Sequence, residues 1–382
     1  MSNPAYKTIT YRDQQFHLPA NALGGERAAP KLKPADEMLL DWAYETAGTT
    51  ELEAIGIYHD RAGVLCTCVR AQNKRFVSNS SRHYDLLTSC YQKNDLTPIP
   101  GSTSPLEEPT QGFKINVLQV PKSLELFELY LHQLAATAGP ETQVACAFQT
   151  RHFTPRLLEI AGKYAGEIIQ SRAYKKARLL LLHDFKPTAL SPVLLSEVVY
   201  GDVIYQQYPG VFSASHIDYA TQFMLDEWAT NSLLAEIDAP GEILDVGCGN
   251  GIIGDYLLAR YSEAKLTATE ISHVAAGSAR LNLATHGFED RATVMIAATV
   301  REVEHPKRFD LIVTNPPFHD EYQTDISVSL ELFNEASERL TATGYLVVVA
   351  NRHLNYLTHL RRYFDEVLTV AENEKYIVYR SR

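Results

Sequence analysis

From Glu242 to the C-terminus, short β-branched runs alternate with helical stretches, and this alternation restricts the fold more than any other feature of the chain. "EILDVG", "KLTATE", "ATVMIA", "FDLIVTN" and "YLVVVAN" read as strands, while "GIIGDYLLARY", "SHVAAGSARLNLATHG" and "SVSLELFNEASERL" read as helices between them. Repetition of this kind builds a parallel sheet covered by helices. Leu330, Phe333, Ala336 and Leu340 recur at helical spacing and should pack on that sheet. The final segment, "EVLTVAENEKYIVYR", holds two strand-like runs around a polar turn, so a terminal hairpin should add an antiparallel strand.

At 382 residues the chain exceeds what one compact core usually holds. Its first half repeats the same grammar less distinctly. "AIGIYHDRAGVLCTCV", "INVLQV", "QVACAF" and "ARLLLL" read as strands, separated by helices at "SLELFELYLHQLAATAG" and "PRLLEIAGKYAG", but no glycine-rich loop follows any of them. A duplicated α/β unit whose first copy has lost its chemistry is the expectation, with two unrelated α/β domains as the alternative. Three prolines in "HDFKPTALSPVLLSEVVYGDVIYQQYPG" place the boundary between Pro187 and Ser196, giving domains 1–190 and 196–382. A hairpin turning at Tyr200 to Asp202 should open the second.

A formal net charge of −11 excludes a globally basic nucleic-acid coat. An RNA partner would meet local patches instead. Arg172, Lys175, Lys176 and Arg178 cluster around Tyr174, and Arg352, Arg361 and Arg362 punctuate a late helix; a solvated helix face is the ordinary role of such runs. The five cysteines are scattered and never spaced C-x-x-C, which favours free thiols in a reducing cytoplasm over disulfides or a metal site. "MSNPAYKTIT" lacks the pattern of a signal peptide, and the apolar runs are too short to span a bilayer. A cytoplasmic monomer is expected.

"ILDVGCGNGIIG" places Gly247, Gly249, Gly251 and Gly254 between a strand and a helix, where the backbone must turn sharply and admit a ligand. Gly249, Gly251 and Gly254 also satisfy G-x-G-x-x-G, and Glu270 lies 21 residues on, where a ribose-binding acid is expected. A nicotinamide dehydrogenase is therefore a rival. Asp245 tilts against it, because an acid there repels a pyrophosphate but suits an amino group such as that of S-adenosylmethionine.

The strand "FDLIVTN" runs into "NPPFHD". Asn315 offers a side-chain carbonyl, and Pro316 and Pro317 stiffen the turn and can leave a main-chain carbonyl free. Two acceptors facing an exocyclic amine would aim its lone pair at a sulfonium methyl. Phe318 adds a flat face for a purine. His319 and Asp320 read as a solvated loop.

These residues resemble the class I S-adenosylmethionine-dependent methyltransferases. With "VFSASHIDYATQFM", "SARLN" and "VVANRHLNYLTHLRRYF", the chain is similar to the ribosomal RNA large subunit methyltransferase G family, which methylates guanine N2 in 23S rRNA. The resemblance implies two tandem Rossmann-like methyltransferase domains, the first degenerate and RNA-binding, the second a seven-stranded class I sheet with a terminal antiparallel hairpin. It implies that Asp245, Gly247, Gly249, Gly251 and Glu270 bind the cofactor, with Phe212 and Ser213 near its methionine end. Asn315, Pro316, Pro317 and Phe318 would hold the guanine, and Asp218 is as readily a helix cap. Ala297 and Ala298 stand where such enzymes commonly place an acid or amide for adenine. The rivals are a 16S rRNA guanine-N2 enzyme, a glutamine-amide methyltransferase, a non-catalytic RNA-binding module and the dehydrogenase.

Overall fold

The computed structural model describes residues 5–24, 29–186, 195–213, 215–304, 307–316 and 326–382. The chain divides into two compact units, 2–193 and 194–382. In the first unit, β1 (Tyr6–Tyr11) and β2 (Gln14–Pro19) form a hairpin, followed by α1 (Pro34–Ala47), β3 (Leu52–Tyr58), α2 (Val64–Cys68), β4 (Ala71–Val77), α3 (Ser81–Lys93), β5 (Ser102–Thr103) and β6 (Ile115–Gln119). Then come α4 (Leu124–Ala136), β7 (Gln143–Gln149), α5 (Pro155–Tyr164), β8 (Ala165–Gln170) and β9 (Ala177–Phe185).

The second unit restates this order. The hairpin is β10 (Ser196–Tyr200) with β11 (Val203–Gln207), then α6 (Tyr219–Thr230), α7 (Ser232–Ala235), β12 (Glu242–Val246), α8 (Ile252–Arg260), β13 (Lys265–Glu270), α9 (His273–Thr285), β14 (Ala292–Ile296) and β15 (Phe309–Thr314). It closes with α10 (Ser327–Arg339), β16 (Leu340–Asn351), α11 (Tyr356–Leu360), β17 (Val367–Glu372) and β18 (Tyr376–Ser381).

Among the described residues each unit holds one seven-stranded sheet, ordered β5-β4-β3-β6-β7-β9-β8 and β14-β13-β12-β15-β16-β18-β17. The two permutations are identical. In both, every ladder is parallel except the two made by the last hairpin. The expected architecture is therefore present twice.

Both faces of the second sheet are buried, as a helix-covered parallel sheet requires. Ile243, Leu311, Val313 and Val347 pack with Met224 and Trp228 of α6 and Leu257 of α8. Their neighbours Leu244, Ile312, Leu346 and Val348 point the other way, onto Phe333 and Ala336 of α10. The predicted stripe on α10 packs there, with Leu330 only partly buried.

Two local expectations change. "AIGIYHDRAGVLCTCV" is extended only to Tyr58, and Val64–Cys68 is helical. Asp60 starts that helix, its Oδ1 accepting the Val64 N–H at 3.1 Å and its Oδ2 the Cys66 N–H at 2.9 Å, after a turn through Gly63 at φ 70°. The "SRAYKKARLLLL" cluster lies on the β8–β9 hairpin rather than a helix: Tyr174 and Ala177 bridge, and Lys175 and Lys176 turn between them with φ 45° and 69°.

Candidate active site

Strand order reverses direction between β12 and β15, so their carboxyl ends frame the crevice where an open α/β sheet takes its ligand. Val246 pairs with Thr314 in register, and the Thr314 hydroxyl donates to the Val246 carbonyl at 2.8 Å. The glycine loop and Asn315 thus leave adjacent strands side by side.

The glycines divide the work. Gly247 and Gly249 have φ of 73° and 57°, and a Cβ on either would meet nothing within 4 Å, so their bare faces look onto open space. Gly251, at φ 86°, starts α8 against Ala279, whose Cα would lie 3.1 Å from an added Cβ. At Gly254 that Cβ would come within 2.4 Å of Leu266 Cδ2, so this glycine serves close helix–strand packing.

Glu270 is locked at the end of β13. Its Oε2 accepts the Gly249 N–H at 3.0 Å, and its Oε1 accepts those of Ile271 and Ser272 at 2.8 and 3.0 Å. Burial raises its pKa, and the three N–H groups pull it back. Asp245 is wholly buried, and among the described residues neither carboxylate oxygen has a hydrogen-bond partner of good geometry. Burial pushes its pKa up to about 7; the nearby Gly254 N–H offsets part of this, and Glu270 adds to it. A buried carboxylate in that state favours a cationic ligand group.

The Asn315 amide is fixed from behind. Its Nδ2 donates to Asp218 Oδ2 at 2.9 Å and to Thr221 Oγ1 at 3.0 Å. With both donors engaged the flip of the amide is determined. Its Oδ1 is buried and carries no hydrogen bond among the described residues. Asp218 is itself held, capping α6 by accepting the Ala220 and Thr221 N–H groups on Oδ2 at 3.0 and 3.2 Å. Pro316 is buried. Pro317, Phe318, His319 and Asp320 lie outside the described residues.

Residues 202–380 match the methyltransferase small domain family, and residues 29–187 match the RLMG N-terminal domain family. Two proteins named ribosomal RNA large subunit methyltransferase G, from Klebsiella pneumoniae subsp. pneumoniae and K. pneumoniae strain 342, are each 31% identical over 95% of this chain and 94% of their own length. The chain belongs to the ribosomal RNA large subunit methyltransferase G family. A solved 16S rRNA N2 methyltransferase from T. thermophilus, in complex with AdoMet and guanosine, superimposes with a TM-score of 0.75 at 20% identity, covering 99% of this chain and 98% of its own. At that identity the likeness speaks for the fold.

For a member of this methyltransferase family, the residues present fit S-adenosylmethionine. Open space faces Gly247 and Gly249, the buried Asp245 oxygens would suit an ammonium, and Glu270 stands beside the loop, where it would meet ribose hydroxyls. The loop with Ala297 and Ala298 brings no polar side chain to adenine at those two positions, and the Ala298 N–H is taken by Glu302 at 3.2 Å. Phe212 is 74% exposed. Ser213, at φ 61°, donates to the His216 carbonyl at 2.7 Å and so shapes the turn leading to Asp218.

The first unit differs at each corresponding place. Counting from the paired strand ends, Ile57 replaces Asp245, His59 replaces Gly247, Arg61 replaces Gly249, Ser78 replaces Glu270 and Gln119 replaces Asn315. The carboxylate–carboxamide contact persists, with Gln119 Nε2 donating to Asp36 Oδ1 at 2.6 Å. Its amide oxygen, however, is occupied: Arg61 donates both its N–H and its Nε–H to Gln119 Oε1 at 3.2 Å.

The basic residues are scattered over both units. Arg172, Lys175 and Lys176 are exposed at the β8–β9 tip, with the Lys175 ammonium 4.3 Å from the Tyr174 ring centroid, while Arg178 is half-buried and donates to Gln170 at 3.2 Å. Arg352 is engaged by Glu372 at 3.5 Å and the Asn373 carbonyl at 2.9 Å. Arg361 and Arg362 are exposed just beyond α11, a five-residue helix that contains none of the three arginines expected to punctuate it. A cavity of about 540 Å³ lined by Arg308, Thr341, Tyr363 and Arg382 opens at the amino ends of β15 and β16, the opposite edge of the sheet from Asn315.

Sequence reasoning missed Thr221 and left Asp218 as a cap. The acid before "YATQFM" was visible as an N-cap signal, but nothing local reports a bond across 97 residues.

Proposed function

We propose that this protein methylates the N2 amine of a guanine in 23S rRNA, with residues 196–382 carrying the chemistry and the first unit contributing RNA affinity. The reading rests chiefly on Asn315 Oδ1, a buried acceptor that meets no donor among the described residues and whose direction is set by Asp218 and Thr221. S-adenosylmethionine supplies an electrophilic sulfonium methyl. Asp245 and Glu270 hold its amino and ribose groups, with Gly247 and Gly249 giving the close approach. Asn315 Oδ1 accepts one N2–H and the Pro316 carbonyl the other, which aims the nitrogen lone pair at the methyl carbon. As the nitrogen becomes positive the amide oxygen stabilises it, and the surplus proton leaves to water. By its type and its place in the motif, Phe318 is the residue that would supply a flat face to the base.

The amine of a paired guanine is inaccessible to such a clamp, so the target is unpaired or flipped out of its stack. In the first unit, the loss of the equivalent acid and glycine and the Arg61 bonds to Gln119 remove both halves of the site. The exposed Arg172, Lys175 and Lys176 are the part of that unit suited to phosphate, with Arg361 and Arg362 in the second. Five free, buried cysteines suit a cytoplasmic protein. Purified protein and labelled methyl donor, incubated with rRNA from a strain lacking the gene, should place the label on guanine N2 in 23S rRNA. Label in 16S rRNA or in adenine overturns the substrate assignment.

A further inference from the structure

We infer that Asp218 reads the guanine directly, accepting the N1–H of the target base on Oδ1 while Oδ2 holds Asn315. The inference rests on the guanine-N2 reading above and adds the residue that sets base specificity.

Among the described residues, the three donors that reach the Asp218 carboxylate converge on one oxygen. Oδ2 accepts the Ala220 and Thr221 N–H groups and Asn315 Nδ2. Oδ1 carries no hydrogen bond among the described residues, and the side chain is only half-buried. The carboxylate therefore keeps an acceptor beside the amide whose own oxygen is unengaged. Guanine presents adjacent donors at N1 and N2. Two neighbouring acceptors, Asn315 Oδ1 for N2–H and Asp218 Oδ1 for N1–H, match that edge. Adenine offers an amine next to an acceptor N1, which a carboxylate repels. The neutral amide alone accepts from either base, so discrimination falls to the acid. The first unit retains its equivalent pair in Asp36 and Gln119, but Arg61 fills the amide oxygen, so no base edge could be read there.

The test uses the full chain and short RNAs carrying, at the mapped target, either guanine or 2-aminopurine, which keeps the amine but has an acceptor at N1. The wild type should favour guanine in kcat/KM by about 10- to 100-fold, the size of a good base-edge contact. In Asp218→Asn the helix cap is retained, one side-chain atom can still serve the Asn315 amide, and a donor replaces Oδ1. The preference should shrink to near parity or invert, with S-adenosylmethionine affinity and melting temperature unchanged. Equal wild-type turnover of both RNAs overturns the inference and leaves the guanine-N2 reading standing. No turnover of the guanine RNA overturns both. Should Asp218→Asn fold poorly, equal wild-type turnover of the two RNAs still overturns the inference.

Discussion

The proposed reaction makes its heaviest demand on one oxygen, Asn315 Oδ1, whose amide Asp218 and Thr221 hold in place. Truncating it removes the acceptor but leaves the glycine loop, Asp245 and Glu270 in place. Asn315→Ala should lower kcat by about 100-fold or more, the scale of losing one preorganised electrostatic contact, while calorimetric affinity for S-adenosylmethionine stays within a few-fold. A large loss of cofactor affinity would instead put Asn315 in the cofactor site. Asp245 makes a separate prediction through its pKa of about 7, far above the ordinary carboxylate value. A folded-state pKa raised in this way contributes stability that is present below about 4 and lost as pH climbs through about 7. The ligand-free protein should therefore lose melting temperature across that window. An ammonium ligand favours the ionised form, so S-adenosylmethionine binding should tighten as pH rises to about 7 and release a proton below it. Asp245→Asn should flatten both profiles, raise the melting temperature and weaken cofactor binding, checked by thermal melts and by calorimetry in buffers of different ionisation enthalpy. The glycines, Asp245, Glu270 and Asn315 were legible in the sequence because each sits within a few residues of a strand end, where local pattern fixes position. Asp218 was legible only as a cap, since its bond to Asn315 depends on how α6 packs near the end of β15.

The elements hold that geometry through a few side chains that cross between them. Asn282 on α9 is one: its Oδ1 accepts the Gln206 N–H at 2.7 Å, and its Nδ2 donates to the carbonyls of Gln206 and Asn250, both at 2.9 Å. One buried amide thus joins the β10–β11 hairpin to the glycine loop. Ser278, one turn earlier, accepts the Tyr208 N–H at 2.9 Å. The "SARLN" run is the stretch that carries both contacts. Asn282→Ala leaves buried backbone groups unpaired and should cost about 2–3 kcal/mol in urea unfolding. Cofactor affinity should fall with it, since Asn250 belongs to the loop. Strand–helix alternation was plain in the second unit, where short apolar and β-branched runs are separated by stretches of helical periodicity. In the first, "AQNKRFV" pairs as β4 without an apolar run to announce it, and "VLCTC" is helical despite its β-favouring residues, because Asp60 and Gly63 start a turn that propensity alone does not predict.

At the scale of the whole molecule, one topology appears twice with opposite fates. The repeated order of hairpin, helix and seven-stranded sheet ties the chain to a single architecture, yet Ile57, Arg61, Ser78 and Gln119 stand in the first copy where the second has Asp245, Gly249, Glu270 and Asn315. The chain's net charge of −11 means that its affinity for a polyanion must come from local cations. The tip of the β8–β9 hairpin gathers Lys175, Lys176 and Arg172 around Tyr174, and two of these cations sit in a two-residue turn that projects them together. If both lysines meet phosphate, Lys175→Ala with Lys176→Ala should weaken rRNA binding and flatten the slope of log affinity against log salt by about 1.5 to 2, one increment of roughly 0.7 to 0.9 for each phosphate that is no longer neutralised. Cofactor affinity belongs to the other unit and should not change. An unaltered salt slope in filter binding would show that the first unit's lysines are solvated surface, and would move the search for its RNA-binding residues to a different face.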